Sequence, residues 1–368
     1  MHHGMLTVYK EAGYTSSDAV ARLRGILRMR KIGHTGTLDP DAEGVLPMCL
    51  GNATRICELI ADREKEYVAV MRLGVQTDTQ DMSGEILHRI PDDEIPAAIL
   101  RSGKGGPPQK ETAAEETGED RSEEYMAGKN REDMIEDSIL RTASAFTGQI
   151  EQIPPMYSAI KVNGKRLYDM ARKGITVERK PRRIIIHALQ IEKIELPFIT
   201  MRVRCSKGTY IRTLCEDMGN ALGTGAAMQS LLRTRVGQFT LDEAHTLDEL
   251  EYFAKNEPDR LLPLIRPVDS FFADLPAAAC TEDALRLLKN GNLLTREEFR
   301  FLAGEEDPQR QWKSTEAFDL QSLPGIDPGE QVIRMYSADR SFYGLYRSKG
   351  GAGGRSRYTA YKMFLPEL

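Results

Sequence analysis

"RIIIHALQIEKIELPFITMRVRCSKGTYIRTLCEDMGNALG", Arg183–Gly223, carries two periodicities in one run. Two apolar, β-branched segments meet at Pro197, a residue that interrupts a strand, and so read as two strands joined there. Beyond Gly208 the spacing changes, and Leu214, Met218 and Leu222 recur at the interval of a helix. Upstream, "EYVAVMRLG" (Glu66–Gly74) alternates apolar with other residues and reads as a further strand. "SSDAVARLRGILRM" (Ser16–Met29) opens on a serine cap and puts Val20, Leu23 and Ile26 or Leu27 on one helix face. Strands and helices mixed in this way through about 260 residues predict an α/β or α+β sheet domain.

The chain has 368 residues, enough for two domains. A boundary is expected near "PLIRPVDSFFADLP" (Pro263–Pro276), where prolines crowd before a short helix in "TEDALRLLKNGN" that stops at Gly291. The strand-like pieces "EQVIRMYS" and "SFYGLYRS" then predict a compact, β-rich module of about 90 residues. Between Arg101 and Asp133 the sequence is rich in Gly, Pro, Glu and Lys with little to bury, which predicts a flexible insertion, 101–133. No apolar run approaches the length of a membrane span and the start lacks a secretory signal, so a soluble, cytoplasmic protein is expected. Five scattered cysteines without a C-x-x-C pair argue against a disulfide framework or a structural zinc site.

The net charge is −5, but it is unevenly placed. Residues 101–133 hold nine acids against six bases, while "ARLRGILRMRK" (Ala21–Lys31) holds five bases and no acid. Lys161–Arg183 has nine bases against two acids, and "LYRSKGGAGGRSRYTAYK" (Leu345–Lys362) has five against none. Basic clusters with interleaved tyrosines supply phosphate contacts and stacking rings, the two things RNA binding requires.

"GHTGTLDPDAEG" (Gly33–Gly44) admits three chemical readings. Asp39, Asp41, Glu43 and Gly44 match the first half of a calcium loop, but Leu50 stands where the bidentate Glu is needed. The glycines lack the spacing of a phosphate cradle. The third reading is an irregular backbone, set by glycines and Pro40, that projects one carboxylate into a pocket as a nucleophile.

The wider segment "GHTGTLDPDAEGVLPMCLGNATR" resembles the catalytic motif of the TruB-type tRNA pseudouridine synthases. "GMLTVYKEAGYTSSDAV", "EKEYVAVMRLGVQTDTQDMSGEI", "QIPPMYSAIKVNGKRLYDMARKG" and "CSKGTYIRTLCEDMG" resemble four further motifs of that family, in the family's order, across Gly4–Arg235. Glu11 stands where the family usually has Pro. The resemblance implies an α+β fold: a mixed, largely antiparallel sheet in a catalytic domain (1–269), followed by a small β-barrel-like PUA domain (270–368). The tail resembles that domain only in "LLKNGN" and "SFYGLY".

The resemblance also implies an isomerase that detaches uracil from ribose, turns it and rejoins it through C5, with no cofactor and no metal. Its substrate would be tRNA, bound by the T arm with uridine 55 flipped out, and the protein would act as a monomer. Asp39 would be the catalytic carboxylate, through attack at ribose C1′ or ring C6 or by assisting loss of the base. Arg212 would keep it ionised against the effect of burial. Tyr67 would stack on the base and handle the C5 proton, Tyr210 would hydrogen-bond in the same pocket, and Leu232, or equally Leu231, would pack against the base. His34 would fill the space the base vacates. Lys161, Lys165 and Arg166 would bind flanking phosphates. Asp41 and Glu43 have no implied role. An RNA-binding tRNA chaperone and a pseudouridine synthase for another RNA are the alternative functions.

Overall fold

In the computed structural model the two strands predicted around Pro197 are Arg182–Glu195 and Phe198–Cys205, paired antiparallel. The structure describes residues 3–102, 130–309 apart from Ala159 and Asn163, 311, 323, 325–327, 329–349 and 357–365. The hairpin lies inside a nine-stranded sheet. Its main path runs Gly4–Lys10, Glu43–Leu50, Ala226–Val236, Lys65–Leu73, Phe198–Cys205, Arg182–Glu195, Gly148–Gln152. Every pairing is antiparallel except a two-residue parallel stretch that sets Leu232 and Arg233 against Glu43 and Gly44.

In Lys65–Leu73 burial alternates strictly, because side chains on a strand point to opposite faces and only one face meets the main core. Tyr67, Ala69, Met71 and Leu73 enter that core with Met201, Val203 and the helix residues Leu214, Met218 and Leu222. The helix, Ile211–Ala221, is therefore the one the spacing predicts. The first helix, Ser16–Leu27, is capped by Thr15 rather than by a serine: Thr15 and Asp18 form a reciprocal capping box.

The predicted insertion is ordered at both ends. Arg101 and Ser102 finish helix Ile95–Ser102, and Asn130 caps helix Arg131–Ala145 by accepting from the Asp133 amide at 2.9 Å. Glu132 and Asp133, counted above within the flexible insertion, are first-turn acids at the positive end of that helix. Residues 103–129 of the predicted insertion lie outside the described residues.

A second, six-stranded sheet runs Leu294–Thr295, Arg357–Met363, Phe342–Lys349, Val332–Tyr336, Ala277–Cys280, Phe299–Leu302. The architecture is thus α+β, with a small sheet-rich C-terminal region of the PUA-like kind. Gly291 has φ +66° and ends a helix of only five residues, Leu285–Lys289. One apolar cluster joins the two sheets: Met5, Val45 and Cys49 from the first pack with Val332 and Leu345 from the second, and Ile56 and Phe364, just outside the strands, complete it.

Candidate active site

Asp39 sits in the loop between strands Ile32–His34 and Glu43–Leu50, and two stretches distant in sequence, Lys10–Ser16 and the strand that carries Arg233, fix that loop. The Lys10 ammonium is fully buried and donates to the Pro40 carbonyl at 2.9 Å, and the Gly13 amide donates to the same oxygen at 3.0 Å. Burial pushes Lys10 down to about 8, partly offset by Glu43, Asp41 and Asp39. The Ser16 hydroxyl accepts from the Leu38 amide at 2.9 Å. Gly44 closes the loop at φ +105°, where a Cβ would lie 2.3 Å from the Arg233 carbonyl oxygen, so the close parallel approach there admits glycine alone.

Arg212 stands at the start of helix Ile211–Ala221 and meets Asp39 with both prongs of its fork. Its Nε lies 3.0 Å from Oδ2, and Nη2 donates to Oδ1 at 3.1 Å. The remaining guanidinium contacts are Nη2 to the Tyr157 carbonyl (2.9 Å), Nη1 to the Thr79 carbonyl (3.1 Å) and Nη1 to Asp81 Oδ2 (3.4 Å). The arginine side chain is 6 % exposed and that of Asp39 is 39 % exposed, so the cation is enclosed while its carboxylate is partly open. Burial raises the Asp39 carboxyl above its ordinary value and Arg212 opposes the rise, while Asp81 adds to it.

Tyr67 is buried on the central strand, in the same apolar cluster as Leu38 and Leu231. Burial raises its phenol. Tyr210 precedes the Arg212 helix, and its backbone exchanges two hydrogen bonds with the Gln152 side chain, at 2.8 and 3.0 Å. Burial also raises the Tyr210 phenol, with Asp39 and Arg212 among its charged neighbours. His34 ends its short strand, and Nδ1 accepts from the Gly36 amide at 3.3 Å. Burial, and then Arg233, lower its pKa, so the ring is neutral near pH 7.

Strand register separates the two leucines left equivalent by sequence. Leu231 pairs with Ala69 and Leu232 with Val68, so Leu231 shares a face with Tyr67 and Leu232 lies on the opposite face. Lys161, Lys165 and Arg166 fall in a two-stranded ribbon, Lys161–Val162 with Lys165–Arg166. It follows directly on Tyr157, whose carbonyl holds Arg212. Lys165 is exposed; the side chains of Lys161 and Arg166 lie outside the described atoms. Asp41 is exposed, and Glu43 accepts one long bond from the Tyr9 hydroxyl, at 3.5 Å.

Asp81 and Lys10 escaped the sequence reading as site residues. Asp81 is held in a tight turn by the Thr79 hydroxyl (2.7 Å) and the Ser83 hydroxyl (2.5 Å), and becomes a second carboxylate on Arg212. Its signal was present in the "TDTQDMSG" turn. Among the described residues no group of three or more His, Cys, Asp or Glu is placed to hold a metal ion, and no helix is long and apolar enough to cross a membrane.

The arrangement offers an arginine-held carboxylate, partly exposed, on a loop whose Leu38 packs in one apolar cluster with Tyr67 and Leu231. Comparison with known proteins gives it a family. Residues 24–102 and 109–211 match the TruB family pseudouridylate synthase N-terminal domain, and 212–273 match the tRNA pseudouridylate synthase B C-terminal domain. The tRNA pseudouridine synthase B of Lachnoclostridium phytofermentans is 40 % identical over 371 residues, covering 99 % of this chain and all of that protein. That of Clostridium tetani is 40 % identical over 289 residues, 78 % of this chain and 84 % of its own. Among solved structures, a chain of a Cbf5–Nop10–Gar1 complex shares the fold at TM-score 0.58 and 24 % identity, covering 99 % of this chain and 86 % of that one. The chain belongs to the TruB family of pseudouridylate synthases.

Proposed function

We propose that this chain isomerises uridine to pseudouridine at position 55, in the T loop of tRNA, with Asp39 as the nucleophile. The observation that carries the reading is the bidentate Arg212–Asp39 pair, enclosed on the arginine side and open on the carboxylate side. A carboxylate held in that way stays anionic in a desolvated cleft and keeps lone pairs directed at a ligand. The names of the relatives support tRNA as the substrate.

The N1–C1′ bond of uridine breaks, the uracil turns, and C5 bonds to C1′. N1 ends protonated and C5 gives up its hydrogen as a proton, so the product is an isomer and no redox or group-transfer cofactor enters the balance. Asp39 acts on the nucleotide in the bond-breaking step, Tyr67 and Leu231 hold the uracil by its faces, and neutral His34 occupies the vacated stack at lower desolvation cost than an imidazolium. The Lys161–Arg166 ribbon and the C-terminal region (270–368) hold the RNA backbone.

The test is to incubate the purified protein with an unmodified tRNA transcript and map pseudouridine by base-specific chemistry. Conversion of the T-loop uridine is expected. Conversion only at another uridine would overturn the substrate assignment, and RNA binding with no conversion at all would favour the chaperone.

A further inference from the structure

Arg233 is 1 % exposed and, among the described residues, makes no ion pair with a carboxylate. A buried cation without a counter-ion is costly, so its placement calls for a physical reason. Its guanidinium donates to three backbone carbonyls, Nε to Val45 at 2.7 Å, Nη2 to Gly36 at 3.2 Å and Nη1 to Thr37 at 3.5 Å, and it also interacts with the Tyr67 side chain. Val45 belongs to the sheet, whereas Gly36 and Thr37 lie midway along the loop between His34 and Asp39. The other anchors of that loop sit to either side: the Thr35 amide on the Pro47 carbonyl (3.1 Å), then Leu38 on Ser16 and Pro40 on Lys10. Arg233 is also the cross-strand partner of Tyr67.

We propose that Arg233 is the positioning residue of this active site: its guanidinium clamps the middle of the catalytic loop to the sheet, so that the base-displacing ring of His34 and the carboxylate of Asp39 are presented to the RNA in one fixed geometry. A planar fork directs donors on separate nitrogens at carbonyls from two elements, whereas a lysine ammonium offers all its donors from one nitrogen. The clamp touches no reacting atom; it acts through the loop and through Tyr67. The proposal rests on the reaction proposed above.

The test compares wild-type protein with Arg233→Lys, Arg233→Met and Asp39→Asn on one unmodified tRNA. The readouts are tRNA affinity, the single-turnover rate at saturating protein, urea unfolding and the NMR titration of His34. Arg233→Lys should fold, bind tRNA within about threefold of wild type and convert it about 100-fold more slowly, the scale of a loop misplaced by an ångström. His34 should titrate higher in Arg233→Met, which removes the charge, but not in Arg233→Lys, which keeps it; a purely structural role predicts instead that the rate at saturating protein falls only as far as the folded fraction does. A lysine variant at wild-type rate, one that loses the fold, or one whose affinity falls as far as its rate would overturn the proposal. Failure of the wild-type protein itself to make pseudouridine would instead overturn the reaction on which it rests.

Discussion

Among the described residues two buried arginines grip a carboxylate with both prongs, and they do opposite work. Arg212 holds Asp39 at 3.0 and 3.1 Å, with two carbonyls and Asp81 completing its contacts. Arg334, in the C-terminal sheet, holds Asp307 at 2.8 and 2.9 Å, with the carbonyls of Leu275 and Ala273 and the Tyr336 hydroxyl completing its own. The cations are satisfied alike, and the anions are not. Asp307 is 4 % exposed and also accepts from the Gln309 amide at 3.0 Å, so its lone pairs are spent inside the protein. Asp39 is 39 % exposed, and the described hydrogen bonds to its carboxylate come from Arg212 alone. A closed pair of this kind fixes structure; an open one keeps a charged group available for chemistry.

Substituting the carboxylates should separate the two roles, with the largest effect at the open pair. Asp39→Asn keeps the side-chain shape and should lower the single-turnover rate by on the order of 10⁴ while leaving the unfolding transition in place. Asp307→Asn should do the reverse. Breaking a buried pair costs about 3 kcal/mol, visible as an earlier urea transition of the C-terminal region, while folded protein saturated with tRNA keeps its chemical rate. A stability loss at Asp39→Asn equal to that at Asp307→Asn would erase the contrast.

The next effect is on pH. The folded-state pKa of Asp39 is raised, chiefly by burial, so the fraction in the anionic, reactive form grows as pH rises through a value above that of an ordinary aspartate. The rate should therefore climb with pH along an acid limb displaced upward, and Arg212→Gln should displace it further, because the opposing cation is gone. A limb at or below the ordinary aspartate value would contradict the desolvated site. The smallest effects belong to the neighbours in the loop. Asp41→Asn and Glu43→Gln should each change the rate less than about tenfold, since neither carboxylate touches Arg212. Equal losses at positions 39, 41 and 43 would point to a shared ion.

The fold was legible wherever periodicity speaks for itself. The β-branched runs meeting at Pro197 marked the hairpin, the change of spacing after Gly208 marked the helix that carries Arg212, and the "TLDP" context singled out Asp39. Residues whose role depends on pairing were not legible. Leu231 and Leu232 are chemically identical neighbours, and only the cross-strand register, Ala69 against Val68, decides which of them faces Tyr67. Asp81 becomes part of the site through an arginine 131 residues away. Lys10 and Arg334 look like surface charges in a string of letters, yet both are fully buried, because carbonyls converge on them from segments far along the chain. Glu132 and Asp133 resembled the acidic run that precedes them, and only the cap at Asn130 marks them as the start of a helix.

The central claim is that the charge on Asp39 serves the chemical step rather than the fold or the grip on RNA. It is tested most directly by measuring tRNA affinity and site-resolved, single-turnover pseudouridine formation together, for wild-type protein and Asp39→Asn on the same unmodified transcript. The expected result is that both proteins hold the tRNA equally well, that wild type converts the T-loop uridine, and that the asparagine variant leaves it as uridine on the time scale of the wild-type reaction. Conversion by Asp39→Asn at a rate near wild type, or a loss of affinity that accounts for its loss of product, would contradict it.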